Sequence, residues 1–422
     1  MAFCPGKIIS GIVQAIACPY NNLKEEISVK KLIAVVLSLV MLLSIAVLPA
    51  SAEGKGKILY LSNLNSGAQY EFYVAYLNMM AKELGYTVEI VYGDTFNDPA
   101  GNLKNVKNAY TSDVVGLISC MDGGLINIME EYPDLWVVGF FSDFDAVYAK
   151  DESGAYTGTS AAVLDKDHYL GLMGDNYISG TTLGEAYAQE VIDRGFKRVA
   201  TCIFPAYAYP KHTVADAGFR AYIAKYNETA AEPIEVVGDA TVLNFSPLET
   251  NYFFEDGHDD LDCIVGFCAG TTFVYPTVVE AKAMGICRED MQIITGGFDN
   301  DPDLMADCGD DKNIIRLTTA AFESIIWPMA LIDAAISGHM YKDYPGNKSQ
   351  LDSGIMVINS TEKFEAVINN SPMGATNDAD RLGKAQASWE DMKNYFTSVN
   401  PDASYQALTE YCQSFAVEGY MK

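Results

Sequence analysis

The sequence predicts an α/β protein made of two doubly wound, parallel-sheet domains. Three observations predict it. Short β-rich runs alternate with amphipathic stretches of helix length, the β runs are almost wholly apolar, and the alternation begins twice along the 422 residues. Apolar strands suit a parallel sheet covered on both faces. Strict alternation implies right-handed βαβ units. A chain of this length holds two domains of ordinary size with separate cores.

In the first block Lys57–Ser62 reads as a strand, and Glu71–Leu84 carries apolar residues at helical spacing. Thr87–Tyr92, Val114–Ser119 and Leu135–Phe140 are further strands separated by helix-length segments. The second block opens with the helix Ser179–Arg194, stopped by Gly195, and the strand Arg198–Phe204. Helix Ala215–Tyr226, strand Cys263–Phe267, helix Thr272–Met284 and strand Gln292–Gly296 continue it. Strand Ile314–Thr319 and helix Phe322–Ser337 follow, and Thr361–Tyr420 reads as mostly helical.

Ahead of both blocks, Lys30-Lys31 precede the apolar run Leu32–Leu48 and then Pro49-Ala50-Ser51-Ala52. A basic stretch, an apolar core and an A-x-A site make a secretory signal, with residues 1–52 as leader and cleavage expected after Ala52. Retention as a membrane anchor stays open, because the run matches the shortest bilayer spans. No lipobox cysteine follows it. The chain is therefore expected outside the cytoplasm, secreted or at the cell surface. Its 28 basic against 56 acidic residues give a net charge of −28, which repels nucleic-acid phosphates and anionic membrane faces. The cysteines after Ala52 are scattered with no C-x-x-C pair, so buried thiols are expected. Cys263 with Cys268, and Cys287 with Cys308, are the pairings left open.

Four motifs resemble the type I periplasmic-binding superfamily, which includes the ribose- and galactose-binding proteins of ABC importers. Ser62-Asn63-Leu64-Asn65 is similar to the S-x-L-N turn after the first strand, and Asp175-Asn176 with Gly180 and Gly184 to the opening of the second domain. Gly218-Phe219 matches a G-F helix, and Gly297-Phe298-Asp299 a G-F-D strand end. The resemblance covers roughly Lys57 to Gly338. It implies a first lobe of 53–165 plus 297–321 and a second of 166–296 plus 322–422. The three crossings would fall near Leu164–Asp175, Gly296–Asp301 and Ala320–Phe322. It further implies capture of a small neutral, hydroxyl-bearing ligand, sugar or sugar-like, for delivery to an ABC permease. The protein would act as a monomer without cofactor or catalysis. The basic-membrane-protein branch, which binds nucleosides, is the related alternative.

Ligands of open α/β sheets sit beyond the carboxyl ends of the strands. Asn65, Asp143 and Asp299 each follow a predicted strand there. Asp299, with Asn300 beside it, leads: a carboxylate accepts hydrogen bonds from two adjacent hydroxyls, the alternative being a cap on a helix that starts near Pro302. Asn65 offers a donor and acceptors. Gln69, Tyr70 and Phe72 add an amide and flat rings, as a sugar face or a base requires. Asp143 sits where sugar binders carry a carboxylate, and Tyr207 and Tyr209 follow a second-domain strand. Two departures bear on ligand identity: Ala215 stands in place of an Arg, and Cys268-Ala269-Gly270 in place of an Asn.

Asp299, Asp301, Asp303 and Asp310 loosely imitate a calcium loop. Leu304 holds the glycine position and Pro302 interrupts, so no metal is expected. His258, among Asp256, Asp259 and Asp260, reads as a solvated acidic turn. Four histidines, no G-x-S-x-G and no Walker loop leave zinc, serine-hydrolase and nucleotide chemistry without support. An exported hydrolase using two carboxylates, or a sensor lobe, are the competing functions. A repressor of the same fold would need a helix-turn-helix where the leader stands.

Overall fold

The computed structural model describes residues 54–93, 98–142, 144–174, 180–206, 209–255, 257–297 and 302–421. Residues 55–422 form one compact unit, distinct from 1–54. The first half runs β1 (Gly56–Ser62), α1 (Ala68–Leu84), β2 (Tyr86–Tyr92), α2 (Pro99–Ala109), β3 (Val114–Ser119), α3 (Leu125–Glu131), β4 (Trp136–Phe140), α4 (Phe144–Tyr148) and β5 (Tyr169–Gly174). It continues with α5 (Gly180–Arg194), β6 (Arg198–Ile203), α6 (Pro210–Asn227), β7 (Glu235–Val236), β8 (Thr241–Val242) and β9 (Cys263–Ala269). Then come α7 (Gly270–Phe273), α8 (Tyr275–Met284), β10 (Gln292–Gly296), α9 (Pro302–Ala306), β11 (Ile314–Ala320) and α10 (Ile326–Ile336). β12 (Gln350–Asp352), β13 (Ile355–Ile358), α11 (Thr361–Asn370), α12 (Asp378–Gly383), α13 (Trp389–Met392) and α14 (Tyr405–Gln413) complete it.

Two sheets result. The first has the order β12-β5-β4-β3-β1-β2 and is parallel throughout. The second has the order β13-β11-β10-β9-β6-β7, with β8 also beside β6, and is parallel except where β13 runs against β11. Strand residues alternate between the two faces. In the first sheet Leu59, Leu117 and Val137 join α3 residues Leu125 and Ile128, while Tyr60, Ile118 and Val138 join Phe72, Tyr76 and Trp327. In the second, Val199, Val265 and Ile294 meet Leu183, Tyr187 and Phe219. Both faces of each sheet are dry, which explains the unbroken apolar strands.

The lobe boundaries differ from those expected. The segment Leu164–Asp175, expected to cross between lobes, contains β5, which pairs with β4 in the first sheet. Residues 297–321, expected in the first lobe, contain β11, which pairs with β10 in the second. Conversely α10, expected in the second lobe, packs on β3, β4 and β5 of the first. The chain therefore passes between sheets after β5, between β11 and α10, and between β12 and β13. One-residue β-strand pairing rules could not show this, because an apolar strand fits either sheet equally well.

Other expectations also shift. Cys287 and Cys308 are both free thiols and Cys263 is free as well, so the open pairings do not form there. His258 is buried, stacked on Tyr252 at 4.1 Å with its Nδ1 3.0 Å from the Tyr252 carbonyl, and is no solvated turn. Among the described residues no helix is long and apolar enough to cross a membrane.

Candidate functional site

In the first sheet the winding reverses between β1 and β3, and in the second between β6 and β9. Such switch points open a crevice beyond the carboxyl ends of the strands. At the first, Ser62 ends β1 and Ser119 ends β3. Each hydroxyl closes a tight turn. Ser62 Oγ accepts the Leu64 N–H at 3.0 Å and donates to the Leu64 carbonyl at 2.8 Å. Ser119 Oγ does the same with Met121, at 3.1 and 2.9 Å. These turns satisfy local backbone groups. After the first, Asn65 and Ser66 are exposed, whereas Cys120 and Met121 after the second are buried.

Asn65 is exposed, and its Oδ1 accepts the Ser66 hydroxyl at 3.2 Å. Gln69 opens the first turn of α1 and donates from Nε2 to the Tyr73 hydroxyl at 2.9 Å. Tyr70 beside it is half-buried. Phe72 is different. It is fully buried against Tyr76, at 4.8 Å, and Phe322, at 6.1 Å, so it belongs to the core rather than to a ligand face. One turn of helix explains this: Gln69 and Tyr70 precede the stripe that α1 buries, and Phe72 begins it. Asp143, Tyr207, Asp299 and Asn300 lie outside the described residues.

The second switch point is aromatic. Phe204, one residue beyond β6, is ringed by Tyr209 at 5.3 Å, His212 at 5.6 Å, Phe245 at 4.9 Å and Phe273 edge-on at 5.2 Å. Tyr209 and His212 stack in parallel at 5.1 Å. Burial pulls the His212 imidazole down to about 3, with the Lys211 charge adding to the effect, so it is neutral at physiological pH. Lys211 itself stands in the first turn of α6. Phe245, by contrast, is 46% exposed.

Phe141 and Phe245 are the non-glycine residues with positive φ among the described residues, at 55° and 56°. Phe141 directly follows β4 and stacks on Phe140 at 3.9 Å. A bulky side chain in the left-handed region is strained, and strain of this kind gathers at ligand sites. Phe141, Phe204 and Phe273 sit at the ends of strands and helices the sequence does mark, yet single apolar rings there read as core, and Phe245 follows β8, which at two residues is too short to register as a strand.

Ala215, the position of the missing arginine, is fully buried against α5. A Cβ on Gly184 would lie 2.0 Å from the Ala215 carbonyl oxygen, so the α5–α6 contact tolerates only small residues there. The arginine position thus belongs to a helix–helix seam in this chain. Asp310, the last of the calcium-like acids, accepts the Thr361 N–H at 3.1 Å. Among the described residues no group of three His, Cys, Asp or Glu could hold a metal. The buried Cys120 thiol, beyond β3, donates its S–H to the Tyr60 hydroxyl oxygen at 3.4 Å, and burial pushes the thiol pKa up to about 12. It is no nucleophile. A groove of about 970 Å³ lies near the starts of β6, β10 and β11, the other ends of the strands, beside Lys197, Asp262, Arg288 and Asp290. Its charges pair with one another, Arg288 with Asp262 at 2.7 Å and with Asp290 at 2.8 Å.

Comparison with known proteins bears on the fold. No family model matches the chain, and no curated protein matches it in sequence. Among solved structures, it is similar to an ABC transporter solute-binding protein from Agrobacterium vitis bound with alpha-D-tagatopyranose. That match has TM-score 0.52 and 12% identity, covering 76% of this chain and 98% of that one. It is also similar to a solute-binding protein from Burkholderia graminis in complex with D-arabinose, at TM-score 0.50 and 13% identity, covering 72% and 96%. A glucose-galactose-binding protein from Geobacillus stearothermophilus gives TM-score 0.50 and 16% identity, covering 72% and 97%. The chain has the type I periplasmic-binding-protein fold: two Rossmann-like parallel-sheet lobes linked by three passages of chain.

Proposed function

We propose that this protein is an extracytoplasmic solute-binding protein that closes around a small neutral, hydroxyl-bearing ligand and passes it to an ABC permease. The observation that carries the reading is the pair of unlike switch points. Amide and hydroxyl groups of Asn65, Gln69 and Tyr70 mark the first, and the exposed Phe245 ring on its aromatic bed marks the second. A flat ring suits the apolar face of a pyranose, and amides suit its hydroxyls. The sugars held by proteins of the same fold support the ligand class. The leader, residues 1–52 with Lys30-Lys31 and the apolar run Leu32–Leu48, supports export, with cleavage after Ala52. Binding proteins of this kind act without a cofactor, as monomers and without turnover.

In this reading Asp299, with Asn300, accepts hydrogen bonds from ligand hydroxyls, and Asp143 and Tyr207 line the same site. The exposed Phe245 ring favours one second reading, a nucleoside whose base stacks there. Calorimetric titration with D-arabinose, D-tagatose, D-galactose and nucleosides separates the two. Asp299→Asn keeps shape and removes charge, so affinity should fall roughly 30- to 150-fold while the stability of the empty protein holds. Unchanged affinity would return Asp299 to a helix cap, for which Asn serves as well. Consumption of any of these ligands by the purified protein would overturn the reading in favour of a hydrolase.

A further inference from the structure

The three solved structures named above match 72–76% of this chain, and the helical segment after β13 reaches both lobes. Its first helix, α11, stays with the second lobe, where Asp310 accepts the Thr361 N–H. Beyond it, α12 and the turn Pro372–Gly374 pack on α1 of the first lobe, and α14 on α10. Arg381 of α12 is 4% exposed, bridging Asp378 at 2.7 Å and Glu71 of α1. Ser398 donates to buried Asp333 of α10. The final turn, Val417–Tyr420, comes back to the second lobe: Lys363 of α11 pairs with Glu418 at 3.0 Å, and Asn370 donates to the Tyr420 carbonyl at 2.8 Å.

The same segment grips two of the passages between sheets. In the passage from β11 to α10, Glu323 is completely buried. Its Oε1 accepts the Gln386 N–H at 2.7 Å and the Tyr420 hydroxyl at 2.8 Å, both from the C-terminal segment. In the passage from β12 to β13, Gln413 of α14 donates to the Asp352 carbonyl at 3.0 Å. A Cβ on Gly354 would meet the Phe415 carbonyl oxygen at 2.6 Å, so segment and passage touch backbone to backbone. The two passages also bond to each other, Ala321 N–H to the Gly354 carbonyl at 2.8 Å. One apolar cluster runs through all of this, from Tyr60 and Phe140 through Phe322, Leu408 and Tyr420 to Ile264 and Ile293.

We propose that residues 378–421 are a brace across the hinge, which ties two interlobe passages to each other and to α1 and so limits how far the lobes open. A hinge of bare crossing strands turns through the backbone torsions of a few residues. Here those residues are held by side chains and backbone of a third element, and any opening must break or carry those bonds. The brace rests on the two-lobe fold and needs no ligand to be identified.

The test uses the full-length protein without ligand. Tyr420→Phe removes one hydrogen bond at Glu323, and Glu71→Gln cuts the ion pair from the half-exposed α1 end, so the second variant leaves the core intact. Hydrogen exchange at residues 320–326 and 352–355 should quicken about five- to tenfold in both, while β3 and β9 exchange as in wild type. Small-angle scattering should show a larger radius of gyration for both variants. Unchanged exchange at the passages would overturn the brace. A uniform rise over both sheets would overturn it as well, since the segment would then be ordinary core.

Discussion

Phe72 and Phe245 carry the same side chain to opposite ends: one sealed against Phe322, the other half open on a strained backbone. Phe245→Ala should therefore weaken ligand binding roughly tenfold, measured by titration calorimetry, and leave the melting temperature almost unmoved. Glu323 makes a contrasting prediction about pH. Burial raises its pKa above the ordinary carboxylate value, with the hydrogen bonds from Gln386 and Tyr420 opposing. The folded protein then holds a proton that the unfolded chain has released. Stability contributed by this group is complete below the unfolded value of about 4.5 and is lost as pH rises through the folded value. Glu323→Gln cannot ionise, so its stability should gain on wild type by up to about 1.4 kcal/mol per pH unit across that window. Urea unfolding between pH 4 and 8 checks it, and parallel curves would refute it.

Among the elements, the α5–α6 pair depends on small residues. Gly180 and Gly184 of α5 meet Lys211, Ala215 and Phe219 of α6, and Gly218 of α6 meets Thr181 of α5, all at distances that leave no room for a Cβ. Gly184→Ala should force the helices apart and destabilise the protein by about 1–3 kcal/mol in urea unfolding, with the lower figure if α6 can shift. The motif glycines were legible in the sequence, whereas their role in a helix seam was not. Spacing marks a residue as special without saying which neighbour makes it so. Helix α1 gives the converse lesson. Its apolar period was readable from Glu71 onward, but the start at Ala68 brings Gln69 and Tyr70 into its first turn.

For the whole molecule, the hinge predicts that saturating ligand reduces the radius of gyration in small-angle scattering. It should also raise stability by about 2.7 kcal/mol at a hundredfold excess over Kd. The brace predicts that this change is smaller in wild type than in Tyr420→Phe. The sequence by itself determined the α/β class, the two α/β blocks, the strands β1–β4, β6 and β9–β11 with the helices between them, and the helical character of the C-terminal segment, but not β5, β7, β8, β12 or β13. Each of these follows from local periodicity and from which strands are apolar on both faces. Only the tertiary structure decided which sheet takes β5 and β11, that α10 returns to the first lobe, and that Phe245 rather than Phe72 is presented to solvent. It also decided that the C-terminal helices close over the passages between lobes. Those outcomes depend on contacts between residues far apart in the chain, such as Glu323 with Tyr420 and Glu71 with Arg381, which no local pattern encodes.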